Sequence, residues 1–461
     1  MTKIAFIVFG IAWLCPVCTL MAEPKNQAPN IVFILADDLR QDALGCAGNK
    51  IVQTPNIDRL AARGVYFSNS FVTTSICCVS RATFLSGQYE RRHGIGDFAT
   101  PFKADTWQKT YPAILRKAGY RTGFIGKFGV GNAKEIAAME KEFDYWKGLP
   151  GQAGPFLDPK DSKKPHATAR FGEQALEFLR GCEADTPFCL SISFSAPHAR
   201  DGQPREFPPD VRDEKLYDDV KIPVAKTADD KYWKLLPEFA RDLEGRKRWQ
   251  RRFATPELYQ KTVRDYYRLI TGLDREVGRV VDLLKERKLD DNTLIVFTAD
   301  NGFFLGERGM ADKWLMYEES IRVPLIVVDP RLPDKRRGVK VDAMVLNIDL
   351  APSLLERAGL PIPKEMQGRS WLPLVRGEKV DWRSEWFYEH HFGPKIIPPN
   401  EGVRTERWKY LRWVGAEPAI EELYDLTSDP AEERNLAGVA EHAKTMESLR
   451  NRWSQLRKDL Q

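Results

Sequence analysis

Two continuous apolar runs, each closed by a pair of oxygen-donor side chains, limit what this chain can fold into more than any other feature. Residues 30–35, Asn-Ile-Val-Phe-Ile-Leu, lead into Ala36-Asp37-Asp38, and residues 293–298 lead into Ala299-Asp300-Asn301. A run that is apolar at every position must be covered on both faces, as a strand inside a parallel sheet is. Around these runs the pattern alternates. Thr54-Pro55 supplies an N-cap and a first-turn proline for a helix carrying Ile57, Leu60 and Ala61. Residues 111–118 predict a helix stopped by Gly119, then a strand over 122–125; residues 167–179 predict a helix and 188–194 a strand. Thr255-Pro256 opens a long amphipathic helix reaching Leu289, with Leu269, Leu273, Val277, Val280 and Leu284 on one face, and residues 324–328 read as a further strand.

This alternation predicts an α/β fold, a large mostly parallel sheet sandwiched by helices. From about Asp381 the pattern shortens into strand-like pieces at 386–389 and 410–414, followed by a last helix bearing Met446, Leu449, Trp453 and Leu456. The expected division is a main α/β domain over residues 23–380 and a smaller C-terminal subdomain, residues 381–461, containing an antiparallel sheet and a terminal helix. Two segments, 131–165 and 200–253, lack clear periodicity. Each reads either as solvated surface or as long loops roofing a site.

With 461 residues, 43% of them hydrophobic and 29% charged, the chain is long enough for one large domain and a small one, and disorder is excluded as its overall state. A net charge of +5 spread along the chain, with no recognisable module, argues against nucleic acid as a partner. Residues 1–22 read as a secretory signal: Lys3 is the charged start, residues 4–14 are apolar but short for a bilayer, and Ala22 is small enough for cleavage. The expectation is an exported protein, periplasmic or secreted, with no stable membrane span after cleavage. Cys46, Cys77, Cys78, Cys182 and Cys189 would remain, an odd number that leaves at least one thiol unpaired or chemically altered. Cys182 and Cys189, between a helix end and a strand, could pair.

Ligands of open α/β sheets bind beyond the carboxyl ends of the strands. Asp37, Asp38, Lys127, His198, Asp300 and Asn301 all fall just after apolar runs, where that rule places a site. The oxygen donors of Asp37, Asp38, Asp300 and Asn301 suit Ca²⁺, with Mg²⁺ second, and no His-rich or Cys-rich ligand set competes. Lys127, His198 and Lys313 are candidates for binding an anion and handling its protons. Cys77-Cys78-Val79-Ser80-Arg81, followed by a run that can form a helix up to Gly87, has the form of a nucleophile elbow. A helix start favours anionic chemistry, but two buried cysteines in a core turn explain the same stretch.

In these residues the chain resembles the type I sulfatases of the alkaline-phosphatase-like superfamily, from about Asn30 into the C-terminal subdomain. The family signature Cys-x-Pro-x-Arg aligns with Cys77 through Arg81, then Ala82 and Gly87. Asp37-Asp38 matches the opening acidic pair, Asp300-Asn301-Gly302 the later metal motif, Gly126-Lys127 the Gly-Lys element and Ser195-Ala196-Pro197-His198 the substrate-site histidine. Lys313, ahead of residues 317–324, matches the lysine before the closing strand. The resemblance implies that a separate maturation enzyme oxidises Cys77 to formylglycine, whose hydrated gem-diol attacks sulfur. Asp37, Asp38, Asp300 and Asn301 would hold Ca²⁺ against residue 77, Arg81 would steady the diol and metal site, and Lys127, His198 and Lys313 would grip the sulfuryl group, with His198 or Lys313 protonating the leaving alcohol. The main domain would then be the sulfatase catalytic domain.

Three departures stand out. Val79 replaces the signature proline read by the maturation machinery, Gly129 stands where many members carry a His, and Arg308 where His is frequent. Cys77-Cys78 is similar to the glucosamine-6-sulfatase group, which makes a sulfated saccharide the expected substrate. His390, His391 and Arg404 are candidates for its leaving-group pocket. The alternatives are an arylsulfatase or choline-sulfatase acting on a small molecule, a phosphonate monoester or phosphodiester hydrolase, and, of another class, an unmatured sulfate-ester binding protein.

Overall fold

The computed structural model describes residues 28–151, 156–157, 164–183, 185–393 and 396–460. The proposed signal segment, residues 1–22, lies outside them. The strands are β1 (Asn30–Ala36), β2 (Val65–Phe71), β3 (Arg121–Gly126), β4 (Tyr145–Gly148), β5 (Phe188–Ser193), β6 (Thr293–Ala299), β7 (Phe304–Leu305), β8 (Ala311–Asp312), β9 (Arg322–Val328), β10 (Val339–Val341), β11 (Val345–Leu346), β12 (Glu385–His390), β13 (Asn400–Thr405), β14 (Trp408–Trp413) and β15 (Ile420–Asp425). The principal helices are α1 (Pro55–Arg63), α2 (Cys77–Ser86), α3 (Tyr111–Lys117), α4 (Ala167–Arg180), α5 (Glu244–Arg252), α6 (Pro256–Glu286), α7 (Leu350–Arg357) and α8 (Ala443–Asp459).

Nine strands form the main sheet in the order β10-β2-β9-β6-β1-β5-β3-β4, with β11 also on β2. Every pairing is parallel except the two made by β9, which runs against both β2 and β6. Alternate residues of β1 feed opposite faces. Val32, Ile34 and Ala36 join the core beneath α1, α4 and α6, while Ile31, Phe33 and Leu35 join the core beneath α2, α3 and α7. That two-sided burial is why β1 is apolar throughout. The second sheet, β12 to β15 in chain order, is wholly antiparallel, and α8 closes it with Met446 and Leu449.

The central register decides where the site falls. β1 and β6 run side by side with Asn30 opposite Thr293 and Ala36 opposite Ala299. The acidic pairs that follow therefore leave the sheet next to one another. β5 and β3 continue the row, Ser193 pairing with Leu35 on one side and Gly126 on the other. Lys127 and His198 come off that same edge.

Several expectations change in detail. The long helix stops at Glu286, not Leu289, because Lys288 turns left-handed (φ 55°) and ends the hydrogen-bond ladder. Thr255 caps it as expected, accepting from the Leu258 N–H at 3.3 Å. Thr54 holds the N-cap position of α1 but makes no capping bond there; its hydroxyl turns to Asp58 and the Gly45 N–H. Asp274 of α6 caps α1 instead, accepting from Asn56 N–H at 3.0 Å and Ile57 N–H at 2.7 Å. Cys182 and Cys189 do not pair; both are free thiols, and Cys182 Sγ donates to the Phe178 carbonyl. Among the described residues, the segment 200–253 contains α5 and three shorter helical pieces, and 131–165 contains two short helical pieces and β4. Among the described residues, no helix is long and apolar enough to cross a membrane.

Asp274→Ala leaves two first-turn donors of α1 without their acceptor, so it should lower stability by about 2 kcal/mol, read as a shifted urea or thermal midpoint with the fold retained.

Candidate active site

Cys77 is the first residue of α2, a helix buried on every side that ends at Gly87. No side chain caps its start, which leaves N–H groups and the positive end of the dipole facing the edge of the main sheet. Cys77 Sγ lies 3.4 Å from Asp37 Oδ1. Burial, then the charge of Asp37, push the thiol well above its ordinary range. As encoded, residue 77 is a protonated, enclosed thiol and a poor nucleophile.

Around it, acids and cations interleave. Lys127 Nζ donates to Asp37 Oδ2 at 2.7 Å, and Lys313 Nζ donates to Asp38 Oδ1. Arg81 reaches Asp300 Oδ2 through Nε at 2.9 Å and lies 3.4 Å from Asp37 Oδ2 through Nη2. The Asp38 N–H donates to Asp300 Oδ1 at 3.1 Å, and Asn301 Nδ2 donates to Asp38 Oδ1 at 2.6 Å. His198 Nε2 stands 3.6 Å from Asp38 Oδ2, while Nδ1 faces the Ala199 carbonyl. Every one of these side chains is buried except the rim of His198. The sequence-expected set Asp37, Asp38, Cys77, Arg81, Lys127, His198, Asp300, Asn301 and Lys313 is thus brought into one constellation.

Local geometry explains the placement. Gly126 turns the chain at φ 88°, and a Cβ there would sit 2.0 Å from the Ser193 carbonyl oxygen, so only glycine lets β3 release Lys127 at this point. Asp38, Asp312 and Trp314 also take positive φ (65°, 72° and 82°). Three non-glycine residues in that region, beside or within the site, mark backbone held against its preference. Gly129 has φ 78°, in the left-handed region that glycine enters without steric cost.

The charges set the protonation states. Burial opposes ionisation of Asp37, but Lys127, His198, Arg81 and Lys313 outweigh it and hold that carboxyl far below the usual range. Burial and the neighbouring Asp37 charge push Asp300 up to about 7. Burial works against Lys127 and Lys313, yet Asp37 and Asp38 respectively hold both ammonium groups charged above their ordinary range. Burial lowers His198, against the pull of Asp38 and Asp37.

The donor set fits a hard divalent cation. Asp38 Oδ2 and Asn301 Oδ1 are buried oxygens with no hydrogen-bond partner. Ligand atoms of Asp37, Asp38, Cys77 and His198 all lie within 4.8 Å of one another. His198 therefore stands nearer this group than its reading as an anion contact suggested, and Asp300 is the acid turned toward Arg81.

Of the three saccharide-side candidates, two, His391 and Arg404, are placed elsewhere. His390 is fully buried, on the same face of β12 as Tyr388, which ties into Ser75 and the Trp314 carbonyl. Its neighbour His391 pairs with Glu401 at 3.0 Å and is charged, pushed up to about 10 by Glu401 and Glu90 against the cost of burial. Arg404 is not brought to the site: it lies over the Phe71 ring, beside Glu318 and Met344. Arg308 bonds the Ala431 and Glu432 carbonyls over the Tyr317 ring, a tie to the chain after β15. Sequence reasoning missed Ser193, whose hydroxyl accepts from Arg81 and donates to the Lys127 carbonyl, and Tyr266, which donates to the Asp38 carbonyl at 2.8 Å. Ser193 ends a strand at the right edge; Tyr266 carries no such signal.

A family model described as Sulfatase matches residues 29–360, and one described as N-sulphoglucosamine sulphohydrolase, C-terminal, matches residues 306–459. The chain is 30% identical over 500 residues to an N-acetylglucosamine-6-O-sulfatase of Bacteroides thetaiotaomicron, covering 94% of this chain and 87% of that protein. It is 27% identical to an arylsulfatase of Clostridium perfringens, covering 92% and 93%. Among solved structures, one in complex with its substrate D-glucosamine-2-N,6-O-disulfate superposes with TM-score 0.81 at 28% identity, covering 94% of this chain and 98% of the other. A phosphonate monoester hydrolase of Agrobacterium radiobacter, at TM-score 0.77 and 22% identity over 94% and 96% of the two chains, shares the fold.

Because Asp300 is protonated below about 7, a divalent cation entering here must displace that proton. Calcium titrated into the protein should bind more weakly as pH falls below 7, by up to about tenfold per unit, with proton release measurable by calorimetry in two buffers. Asp300→Asn should flatten this dependence.

Proposed function

The chain belongs to the sulfatase family, and from that premise we propose that it hydrolyses sulfate esters of a sulfated carbohydrate, with a nucleophile made from Cys77. A 6-O-sulfated glucosamine is the substrate this reading favours. The observation that carries it is Cys77 at the start of α2, against Asp37 and within 4.8 Å of ligand atoms of Asp38 and His198. The relative named as an N-acetylglucosamine-6-O-sulfatase and the neighbour bound to a glucosamine disulfate support the sugar.

Asp37, Asp38, Asp300 and Asn301 would hold Ca²⁺ and residue 77 would be formylglycine, together supplying a hydrated aldehyde nucleophile and neutralisation of the sulfate oxygens. The chain's own residues do the rest. Lys127 and Lys313, held charged by buried acids, are point charges for the sulfuryl oxygens. Arg81 fixes Asp300 and Asp37 through its planar fork, so the acids keep their spacing while the ester reacts. His198 presents Nε2 beside Asp38, close enough to handle the proton of the departing alcohol. With Asp300 ionised, three buried carboxylates against three buried cations leave the pocket near neutral (Asp37, Asp38 and Asp300 with Arg81, Lys127 and Lys313). A bound dication would then make it attractive to a sulfate monoester. His390 remains the candidate for the saccharide side, and the protein would act after export, matured by a formylglycine-generating enzyme.

Protein produced with that maturation enzyme should carry an aldehyde at residue 77 by peptide mass analysis and release inorganic sulfate from glucosamine 6-sulfate. Lys127→Ala should lower the rate about 10² to 10³-fold, or about 2.7–4 kcal/mol. An intact thiol in that protein would support the binder instead, and faster turnover of a phosphonate or phosphate ester would support the rival hydrolase.

A further inference from the structure

Lys313 is flanked by two left-handed residues, Asp312 (φ 72°) and Trp314 (φ 82°). A short β7–β8 ladder pairs Asp312 with Phe304, but it ends there and does not hold the residues that follow. Tyr388 and Asn400 hold the Trp314 carbonyl from the second sheet, and Asp312 is fixed from the aperiodic segment 200–253. Arg252 of α5, 1% exposed at its side chain, donates Nη1 to Asp312 Oδ2 at 2.7 Å. Arg248, one helical turn earlier, donates Nη1 to Asp312 Oδ1 at 3.0 Å. Each carboxylate oxygen of Asp312 thus has its own arginine. Asp201 ties the two together, 2.5 Å from Arg252 Nη2 and 2.9 Å from Arg248 Nη1. Glu206 takes Arg252 Nε and Glu244 takes Arg248 Nε. The Arg248 guanidinium also stands 5.3 Å from the centroid of the Trp314 ring, on the far side of Lys313.

We infer that Arg252 and Arg248 are positioning residues for Lys313: by forking the Asp312 carboxylate they hold the strained turn that aims the Lys313 ammonium at Asp38. The inference rests on the sulfatase reading for the role of Lys313. The geometry itself is independent of that reading. A buried carboxylate gripped by two arginines cannot swing, and a fork contacts both oxygens where a single ammonium would contact one. Without the grip, residues 312–314 relax toward ordinary φ and the Lys313 side chain loses its fixed origin. The polar side-chain contacts of the two arginines are to Asp312, Asp201, Glu206 and Glu244, so they act on Lys313 through the Asp312 turn they pin.

Non-additivity tests this, because a merely structural arginine adds its loss to that of Lys313. The cycle uses Arg252→Met, Lys313→Ala and the double variant, read by the dissociation constant for inorganic sulfate in calorimetry and by kcat and KM on glucosamine 6-sulfate. Each single variant should weaken sulfate binding about tenfold and lower kcat more than it raises KM, and the double variant should be no worse than Lys313→Ala alone. Arg252→Lys should recover part of the loss. Where Arg252→Met does not fold, Arg248→Met, at a side chain 17% exposed, carries the same cycle. Losses that multiply in the double variant, or Arg252→Met binding sulfate as the parent does, would overturn the inference. A parent protein that binds sulfate but cleaves no sulfate ester would count against the proposed function, and the sulfate-binding cycle would still decide the role of the arginines.

Discussion

The in-register pairing of β1 with β6 is the constraint on which the rest of the structure depends. Ala36 opposite Ala299 means that Asp37-Asp38 and Asp300-Asn301 emerge as neighbours. Nothing downstream can separate them. Four adjacent parallel strands end at that edge, and the acids that follow β1 and β6 are fully buried there. Crowding carboxylates in such a place costs several kcal/mol per ion unless each is paired. Arg81, Lys127 and Lys313 do the pairing, each from a different element. The cationic side of the site is therefore a consequence of the acidic side, and both follow from strand register.

The same logic links stability to chemistry. Asp37 is held ionised by the cations around it, while Asp300 gives up its charge near neutrality because burial and Asp37 act against it. A cation would relieve that conflict, and Asp38 Oδ2 and Asn301 Oδ1 are the oxygens with nothing else to bind. The enclosed thiol of Cys77 fits badly as a nucleophile in its encoded form. It stands where a different functional group would be useful. The turn carrying Lys313 shows the price of the arrangement: two non-glycine residues in left-handed conformations, balanced by a buried ionic network.

How much of this could be read from the chain depends on whether a residue's position is set locally. Asp37, Asp38, Asp300 and Asn301 follow apolar runs whose burial is evident from composition alone, and Cys77 and Lys127 sit in motifs with their own turn residues. β2 was not legible. Its Ser68, Asn69 and Ser70 break the apolar pattern, and only the structure shows Ser68 and Asn69 bonding Val341 and Asp342 beside it. Arg248, Arg252 and Tyr266 approach from a segment without periodicity or from the face of a long helix, so no spacing in the sequence ties them to Asp312 or Asp38. Arg404 misled for the opposite reason: a conspicuous arginine in the right subdomain, turned toward Phe71 and Glu318.

Everything at this site turns on one ion held between two strand ends. A crystal structure of the matured protein grown with calcium and sulfate tests it most directly. The account predicts a single cation with oxygens of Asp37, Asp38, Asp300 and Asn301 at about 2.3–2.6 Å, residue 77 facing it, and sulfate oxygens against Lys127 and Lys313. A cation bound elsewhere, or Asp300 still committed to Arg81 with no ion between the two acidic pairs, would contradict it.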